Sequence, residues 1–391
     1  MITTLAVQGY RSLHQLVMPL APVTLVTGEN GSGKTSLYRS LRLLAATSRE
    51  GVVEPLARDG GLERILWAGP EVISGAMRRG EVPIQGAHKR HKPVSLLLGV
   101  VQDDLGYLVD IGLPPPSTKT LFSHDPVIKR EEVFAPPLFR PASRLVSRKG
   151  GRVITHAGAH TRMLEEYLPA RTSMLAEFAD PEQTPELLNL RRAMAGWRFY
   201  DAFRTDVQAP ARQRCLTTWT PVLAEDGRDL AAALGSIRES AWAGPLDQAI
   251  TSAFPGTELA VDDADGQLIL RVHQPGMLRP LTADELSDGT LRFLLLAAAL
   301  LSPQPPGLLV VNEPETSLHP DVLPVLADLI VHVSKRTQVL VVSHSRELIA
   351  PLKDAGGEDT VIHHHLVKNL GQTRIEGQGL FSTPRWEWGS R

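Results

Sequence analysis

The sequence predicts an α/β fold: a parallel sheet carrying a phosphate-binding loop, with a strand-rich N-terminal part and a helical middle. Three observations carry this. Gly28-Glu29-Asn30-Gly31-Ser32-Gly33-Lys34-Thr35 matches G-x-x-x-x-G-K-[ST] with no departure. The loop follows the apolar stretch Val23 to Thr27 and opens a segment in which Leu37, Leu41 and Leu44 recur at helical spacing. The last third alternates helix and strand, the pattern of a parallel sheet with crossover helices.

The elements follow in order. Ile2 to Val7, Gln15 to Met18 and Val23 to Thr27 read as three short strands, broken by a turn at Gly9-Tyr10-Arg11-Ser12. Residues 60 to 115 look strand-rich. Val94 to Val101 and Tyr107 to Ile111 flank Asp103-Asp104-Leu105-Gly106 as a hairpin, and Pro114-Pro115-Pro116 ends that unit as a stiff connector. From about 160 to 255 the character is helical, over Met174 to Phe178, Pro185 to Phe203 and Arg228 to Trp242. Leu259 to Asp262 and Gln267 to Val272 form a hairpin about Asp265-Gly266. The alternating part then runs from a helix at about 290 to 301 through a strand at Leu308 to Val311. A helix at about 320 to 334, a strand at Val339 to Val342, a further helix and a hairpin near 361 to 376 complete it.

Composition bounds the function. The chain has 391 residues, enough for one large domain or two smaller ones with a real core. A single cysteine, Cys215, excludes a disulfide framework and a Cys-rich zinc site and fits a reducing cytosol. A net charge of −2 does not advertise nucleic-acid binding. The N-terminus lacks a signal-peptide pattern. The longest apolar run, Phe293 to Leu301, has nine residues, where a span needs about 20, so a soluble, cytoplasmic chain is expected. No heptad is sustained, so no coiled coil is expected. His363-His364-His365 falls in a strand, where neighbours face opposite ways, and reads as structural rather than as a metal tract.

The chemistry lies in four short motifs. In the loop, glycines let backbone N–H groups turn around a β-phosphate at a helix N-terminus. Lys34 would reach the β- and γ-phosphates and the Thr35 hydroxyl would ligate Mg²⁺. Leu308 to Val311 then leads into Asn312-Glu313. Glu313 suits a general base that deprotonates water. Asn312 stands where a carboxylate would hold the metal shell; its amide brings no charge, so weaker Mg²⁺ binding and slower turnover are expected. Leu286-Ser287-Asp288-Gly289-Thr290 precedes an apolar helix and reads either as a second anion site or as a plain N-cap. His344, after Val339 to Val342, could hydrogen-bond a γ-phosphate or the attacking water.

The order GENGSGKT, LSDGT, LLVVNEPETSLHP, VVSHS resembles the ATP-binding-cassette ATPases of the SMC, RecF and overcoming-lysogenization-defect type, above all bacterial predicted ATPases that carry Asn-Glu-Pro-Glu-Thr-Ser-Leu-His-Pro. The resemblance implies an ABC-ATPase head: a RecA-like P-loop core, an N-terminal antiparallel β subdomain and a helical second lobe. Residues 1–160 would form the first part of lobe I, 161–285 lobe II with adjoining strands, and 286–391 the rest of lobe I. It makes Gly28 to Thr35 the Walker A loop, with Asn30, Gly31, Ser32, Gly33, Lys34, Thr35 and Ser36 around the nucleotide. Asn312 and Glu313 become the Walker B pair, Ser287, Asp288 and Gly289 the signature motif, Ser317 to His319 the D-loop, and His344 the switch histidine. Arg11 and Ser12 match a position near the nucleotide. The Q-loop glutamine is left between Gln85 and Gln102. Without coiled-coil arms, and with no acidic metal cluster after residue 344, neither an SMC with arms nor a fused Toprim nuclease is expected.

The resemblance further implies ATP and Mg²⁺ as ligands and a head-to-tail homodimer formed on ATP. Such a chain would act in DNA repair, recombination or anti-phage defence, with DNA or a separate nuclease or effector as partner. The alternative is a slow-turnover scaffold or sensor that controls an effector without processing DNA. A transporter cassette fits poorly. Arg78-Arg79, Lys89-Arg90-His91-Lys92 and Arg144 to Arg152 are candidate DNA contacts; poor aromatic interleaving argues against base stacking, and a solvated charged face is the other reading.

Overall fold

The computed structural model describes residues 1–49, 51–71, 74–79, 81, 95–115, 121–157, 160–178, 180–201, 203–379 and 382–389. The chain divides into two compact units. The first holds Met1–Leu20, Gly28–Ala195 and His364–Arg391, the second Ala21–Thr27 and Gly196–His363. These units cut the chain at other places than the three segments expected from the sequence.

The first unit begins with β1 (Ile2–Tyr10) and β2 (Leu13–Pro19), a hairpin turned at Arg11, as expected. The next strand, β3 (Val23–Gly28), belongs to the second unit up to Thr27 and hands the chain back at Gly28. The helix after the loop is α1 (Lys34–Ala46), which buries Leu37, Leu41 and Leu44. Short helices follow: α2 (Val53–Arg58), α3 (Leu62–Ile65) and α4 (Gly75–Arg78). They correct the strand-rich reading of residues 60 to 78, because single helical turns are too short to show a period.

The hairpin of β4 (Leu96–Gln102) and β5 (Gly106–Gly112) is as expected. The prolines after it do not end the unit. The sheet continues through β6 (Val127–Phe134), β7 (Arg144–Lys149), β8 (Arg152–Ala157) and β9 (His160–Glu165), giving the antiparallel order β2-β1-β4-β5-β6-β7-β8-β9. The cause of the miss is visible in β6, where Lys129-Arg130-Glu131-Glu132 hides any apolar alternation. The two glutamates are paired inside: Arg148 Nη1 donates to Glu131 Oε2 at 2.8 Å, both side chains fully buried, and Arg144 pairs with Glu132 at 2.8 Å. Two helices, α5 (Met174–Glu177) and α6 (Pro185–Ala195), end this part of the unit.

The second unit opens on β10 (Arg198–Tyr200). A helix through Phe203 was expected here. Gly196 breaks it, and Trp197, Phe199 and Tyr200, all buried, suit a pleated edge instead. Then come β11 (Cys215–Leu216), α7 (Leu230–Arg238), α8 (Ala243–Ala253), the hairpin β12 (Glu258–Ala264) with β13 (Gln267–His273), and β14 (Leu281–Thr282). The alternating part is α9 (Asp288–Leu300), β15 (Leu308–Asn312), α10 (Leu323–Val333), β16 (Gln338–Val342), α11 (Arg346–Thr360, broken at Gly357) and β17 (Val361–Asn369). The last strand, β18 (Gln372–Ile375), pairs with the end of β17 in the first unit.

Parallel pairing sets the order β10-β15-β16-β3 in the second unit. Beneath it α9, apolar apart from Arg292 beyond its first turn, is buried from Thr290 to Leu300 and packed with Leu309, Val311, Leu326 and Ile330. Among the described residues no helix is long and apolar enough to cross a membrane.

Candidate functional site

The phosphate loop lies in the first unit and is built from backbone. Gly28 and Gly33 both need the absence of a side chain. At Gly33, φ is 111°, and a Cβ would lie 2.2 Å from Thr373 Oγ1; at Gly28 it would lie 2.5 Å from the Leu366 carbonyl. Thr373, on β18, braces the loop: its hydroxyl lies 2.7 Å from the Ser32 carbonyl and 2.8 Å from Ser12 Oγ, and its N–H donates to the Ser12 carbonyl at 2.8 Å. Ser12 is thus tied to the loop. Arg11 is held at one side by Asp59, which also receives Tyr10 Oη at 2.9 Å and Arg39 Nη1 at 3.0 Å.

Three features of this loop fit a bound anion. The N-terminus of α1 has no side-chain cap and no acidic residue in its first turn, so its first amides keep their positive potential. Ser32 Oγ is buried without a hydrogen-bond partner. Lys34 folds back over the loop, donating to the carbonyls of Gly28 and Glu29. Glu29, Asn30, Gly31 and Thr35 are exposed, whereas Ser36 is buried.

The second cluster lies at the C-terminal edge of the parallel strands in the second unit. Asn312 is level with Val342 and Val342 with Val26, so Asn312, Glu313, Ser343, His344 and Thr27 share one edge. Crevices at that edge of an open α/β sheet are where ligands bind. Glu313 takes a left-handed φ of 47°, fixed by its N–H to the Val342 carbonyl at 2.7 Å and by Arg292 Nη2 to its own carbonyl at 3.0 Å. Burial lowers the Arg292 pKa, opposed by the charges of Glu315, Glu313 and Asp201.

His344 Nδ1 lies 3.5 Å from Glu313 Oε1 and 3.4 Å from Glu315 Oε1. Sequence reasoning missed Glu315. Its buried carboxylate accepts from Ser343 Oγ at 2.7 Å and from the N–H groups of His344 and Ser345 at 3.1 and 3.2 Å, fixing the turn that carries His344. Its only sequence signal was its place in Asn-Glu-Pro-Glu.

The Leu286–Thr290 loop is in the same unit. Ser287 Oγ caps α9, accepting from Thr290 N at 3.2 Å, so the N-cap reading of this serine holds in the chain as it stands. Asp288 accepts from Arg212 Nη2 at 2.8 Å. Arg212, nearly buried, also donates to the carbonyls of Ala283, at 2.9 Å, and Leu286, at 2.8 Å, and braces the loop. A Cβ on Gly289 would lie 2.8 Å from the Ser317 carbonyl, so glycine is what lets this loop meet Ser317 to His319.

The remaining candidates separate. Gln102 pairs with Ile2, at the far end of β1 from Arg11 and Ser12, and so lies away from the loop; Gln85 lies outside the described residues. Lys89-Arg90-His91-Lys92 and the Arg78 side chain also lie outside them. Arg79 pairs with Glu81 at 2.6 Å. Of the Arg144 to Arg152 run, Arg148 and Arg144 are taken up by Glu131 and Glu132, while Lys149 and Arg152 are exposed. His363 Nε2 lies 2.7 Å from Thr27 Oγ1 and His364 Nε2 2.8 Å from the Pro19 carbonyl; no metal-binding group of three occurs among the described residues.

The chain shares its fold with a solved Smc head domain. It is similar to the Smc head domain with a coiled coil and joint from Pyrococcus yayanosii, at TM-score 0.50 and 10% identity over 98% of each chain. Smc heads from Pyrococcus furiosus, bound to the C-terminal domain of ScpA, and from Thermotoga maritima also match. Their TM-scores are 0.48 and 0.45, at 12% and 15% identity, over 96% and 97% of this chain and 95% and 99% of theirs. Within the chain, residues 167–350 match the family model described as AAA domain, putative AbiEii toxin, type IV TA system. No curated protein matches the chain.

Proposed function

We propose that this chain binds ATP with Mg²⁺ at residues 28–36 and hydrolyses it with Glu313 as the general base. The observation that carries the reading is the uncapped N-terminus of α1 behind a glycine loop, with the Ser32 hydroxyl unpartnered and Lys34 parked on loop carbonyls. Phosphate oxygens are acceptors that the first amides of α1, the Ser32 hydroxyl and the Lys34 ammonium can all take. Lys34 exchanges carbonyls for phosphate. Arg11 and Ser12 border the loop, and the Thr35 hydroxyl and Asn312 would hold Mg²⁺. When bound, Mg²⁺ neutralises phosphate charge. Glu313 takes the proton of the attacking water, and His344, aimed by the Glu315 turn, hydrogen-bonds that water or the γ-phosphate.

The signature loop at Ser287 to Gly289 contacts the nucleotide of a second copy, making a head-to-tail homodimer. The match over 167–350 to a model described as a putative AbiEii toxin supports a defence setting, in which a separately encoded effector would be the partner. The pairing of Arg144 and Arg148 with Glu132 and Glu131 withdraws those two arginines from the candidate DNA contacts.

The test is calorimetry on Lys34→Ala. Losing a charge-assisted contact worth about 1.5–3 kcal/mol is expected to weaken ATP binding by about tenfold or more in a folded protein. Unchanged affinity would overturn the ATP reading.

A further inference from the structure

Asn312 leaves the metal side of the proposed site one negative charge short. The fold returns that charge from another strand. β10 runs parallel beside β15 with Tyr200 level with Val311, so the next residue, Asp201, comes level with Asn312. Asn312 Nδ2 donates to Asp201 Oδ1 at 2.6 Å. A carboxylate only accepts, so the amide nitrogen must face Asp201 and the Asn312 oxygen is turned away from it. Asp201 is exposed, and among the described residues no Lys or Arg lies within ion-pair distance of it. The nearby cation, Arg292, instead directs its nitrogens at the carbonyls of Phe203 and Glu313.

We propose that Asp201 is the carboxylate that serves the nucleotide's Mg²⁺ in this chain, with Asn312 as its neutral holder. The carboxylate that the resemblance expects on β15 is supplied here from β10, with an amide standing in its place. The pairing explains why position 312 is an amide. Two carboxylates at 2.6 Å would repel, and one would have to take a proton unless a cation bridged them. An Asp–Asn pair keeps one full charge and one neutral oxygen. This removes the reason to expect slow turnover from Asn312 alone, and Asn312→Asp by itself is no longer expected to improve the site.

The inference rests on the ATP reading, so the experiment separates the two. A non-hydrolysable ATP analogue is titrated into the full chain in EDTA and at rising Mg²⁺, followed by calorimetry. Asp201→Asn is expected to leave analogue affinity in EDTA unchanged. It should raise the Mg²⁺ needed for tight binding by about tenfold to a hundredfold, the range for losing a group that supports a metal. The charge transposition, Asp201→Asn with Asn312→Asp, is expected to recover most of that loss. Unchanged Mg²⁺ dependence in Asp201→Asn, an equal loss with and without Mg²⁺, or no recovery in the transposed pair would each overturn the assignment. Wild-type chain that binds no analogue under either condition would overturn the ATP reading itself. Thermal melts of each variant check folding, and Asp201→Ser provides a second neutral substitution should Asp201→Asn melt early.

Discussion

In the proposed reaction Glu313 is the general base, and its backbone geometry is costly. A non-glycine residue in the left-handed region costs about 1–3 kcal/mol and persists only where its surroundings dictate it. Here Arg292 and the Val342 carbonyl dictate it from both sides of the peptide. The Glu315 carboxylate does the same for the turn after β16, so Glu313 and His344 are aimed by two groups that touch neither phosphate nor water in the proposed reaction. Glu313→Gln is expected to keep ATP affinity and lower hydrolysis by about 10²–10⁴, the usual worth of a positioned acid or base. The check is single-turnover phosphate release beside ATP calorimetry; hydrolysis at the wild-type rate would remove Glu313 as the base.

At the scale of elements, the antiparallel sheet of the first unit is tied together by charge. Glu131 on β6 accepts from Tyr107 Oη at 2.7 Å, Ser173 Oγ at 2.5 Å and Met174 N at 2.9 Å besides Arg148. Arg148 also donates to the carbonyls of Pro169 and Thr172. One pair therefore joins β5, β6 and β7 to the N-terminus of α5. Burial and the Glu131 charge together push the Tyr107 pKa well up, so the phenol stays a donor to the carboxylate. Arg148→Ala leaves Glu131 buried without its cation, and a loss of about 3–5 kcal/mol is expected in urea unfolding. Replacing both by Met and Leu should recover much of it, since an apolar pair of similar volume avoids the desolvation cost. A loss under about 1 kcal/mol for Arg148→Ala would show that the pair is not the tie it is taken for, since exposed pairs are worth no more than that.

For the whole molecule the question is assembly. The proposed dimer is driven by the γ-phosphate, because a ligand shifts an equilibrium only through contacts that differ between the two states. Ser287 is already the cap of α9, so a test must preserve the cap. Ser287→Asp does so, since aspartate caps about as well as serine, while setting a negative charge against an incoming phosphate. In a Glu313→Gln background, light scattering is expected to show a dimer with ATP, monomer with ADP, and monomer with ATP once Ser287→Asp is added. A dimer indifferent to both nucleotide and Ser287 would place association on another surface.

The local part of this protein is legible in its sequence. The loop, the strand before it and the helix after it are short-range features, and glycine, lysine and leucine spacing determine them without help from the rest of the chain. The alternating elements from Asp288 onward follow for the same reason, as apolar periods announce each one. What tertiary structure alone decided is long-range and polar. Four charged residues in β6 conceal a core strand until Arg144 and Arg148 arrive from β7 to pair with its two glutamates. Glu315 looks like one more acidic residue until it folds back on His344. Asp201 and Asn312 stand 111 positions apart, and only the parallel register of β10 on β15 brings the carboxylate to the amide. Burial makes such pairings specific, because a charge removed from water must find its partner, and a linear pattern cannot say which partner that is.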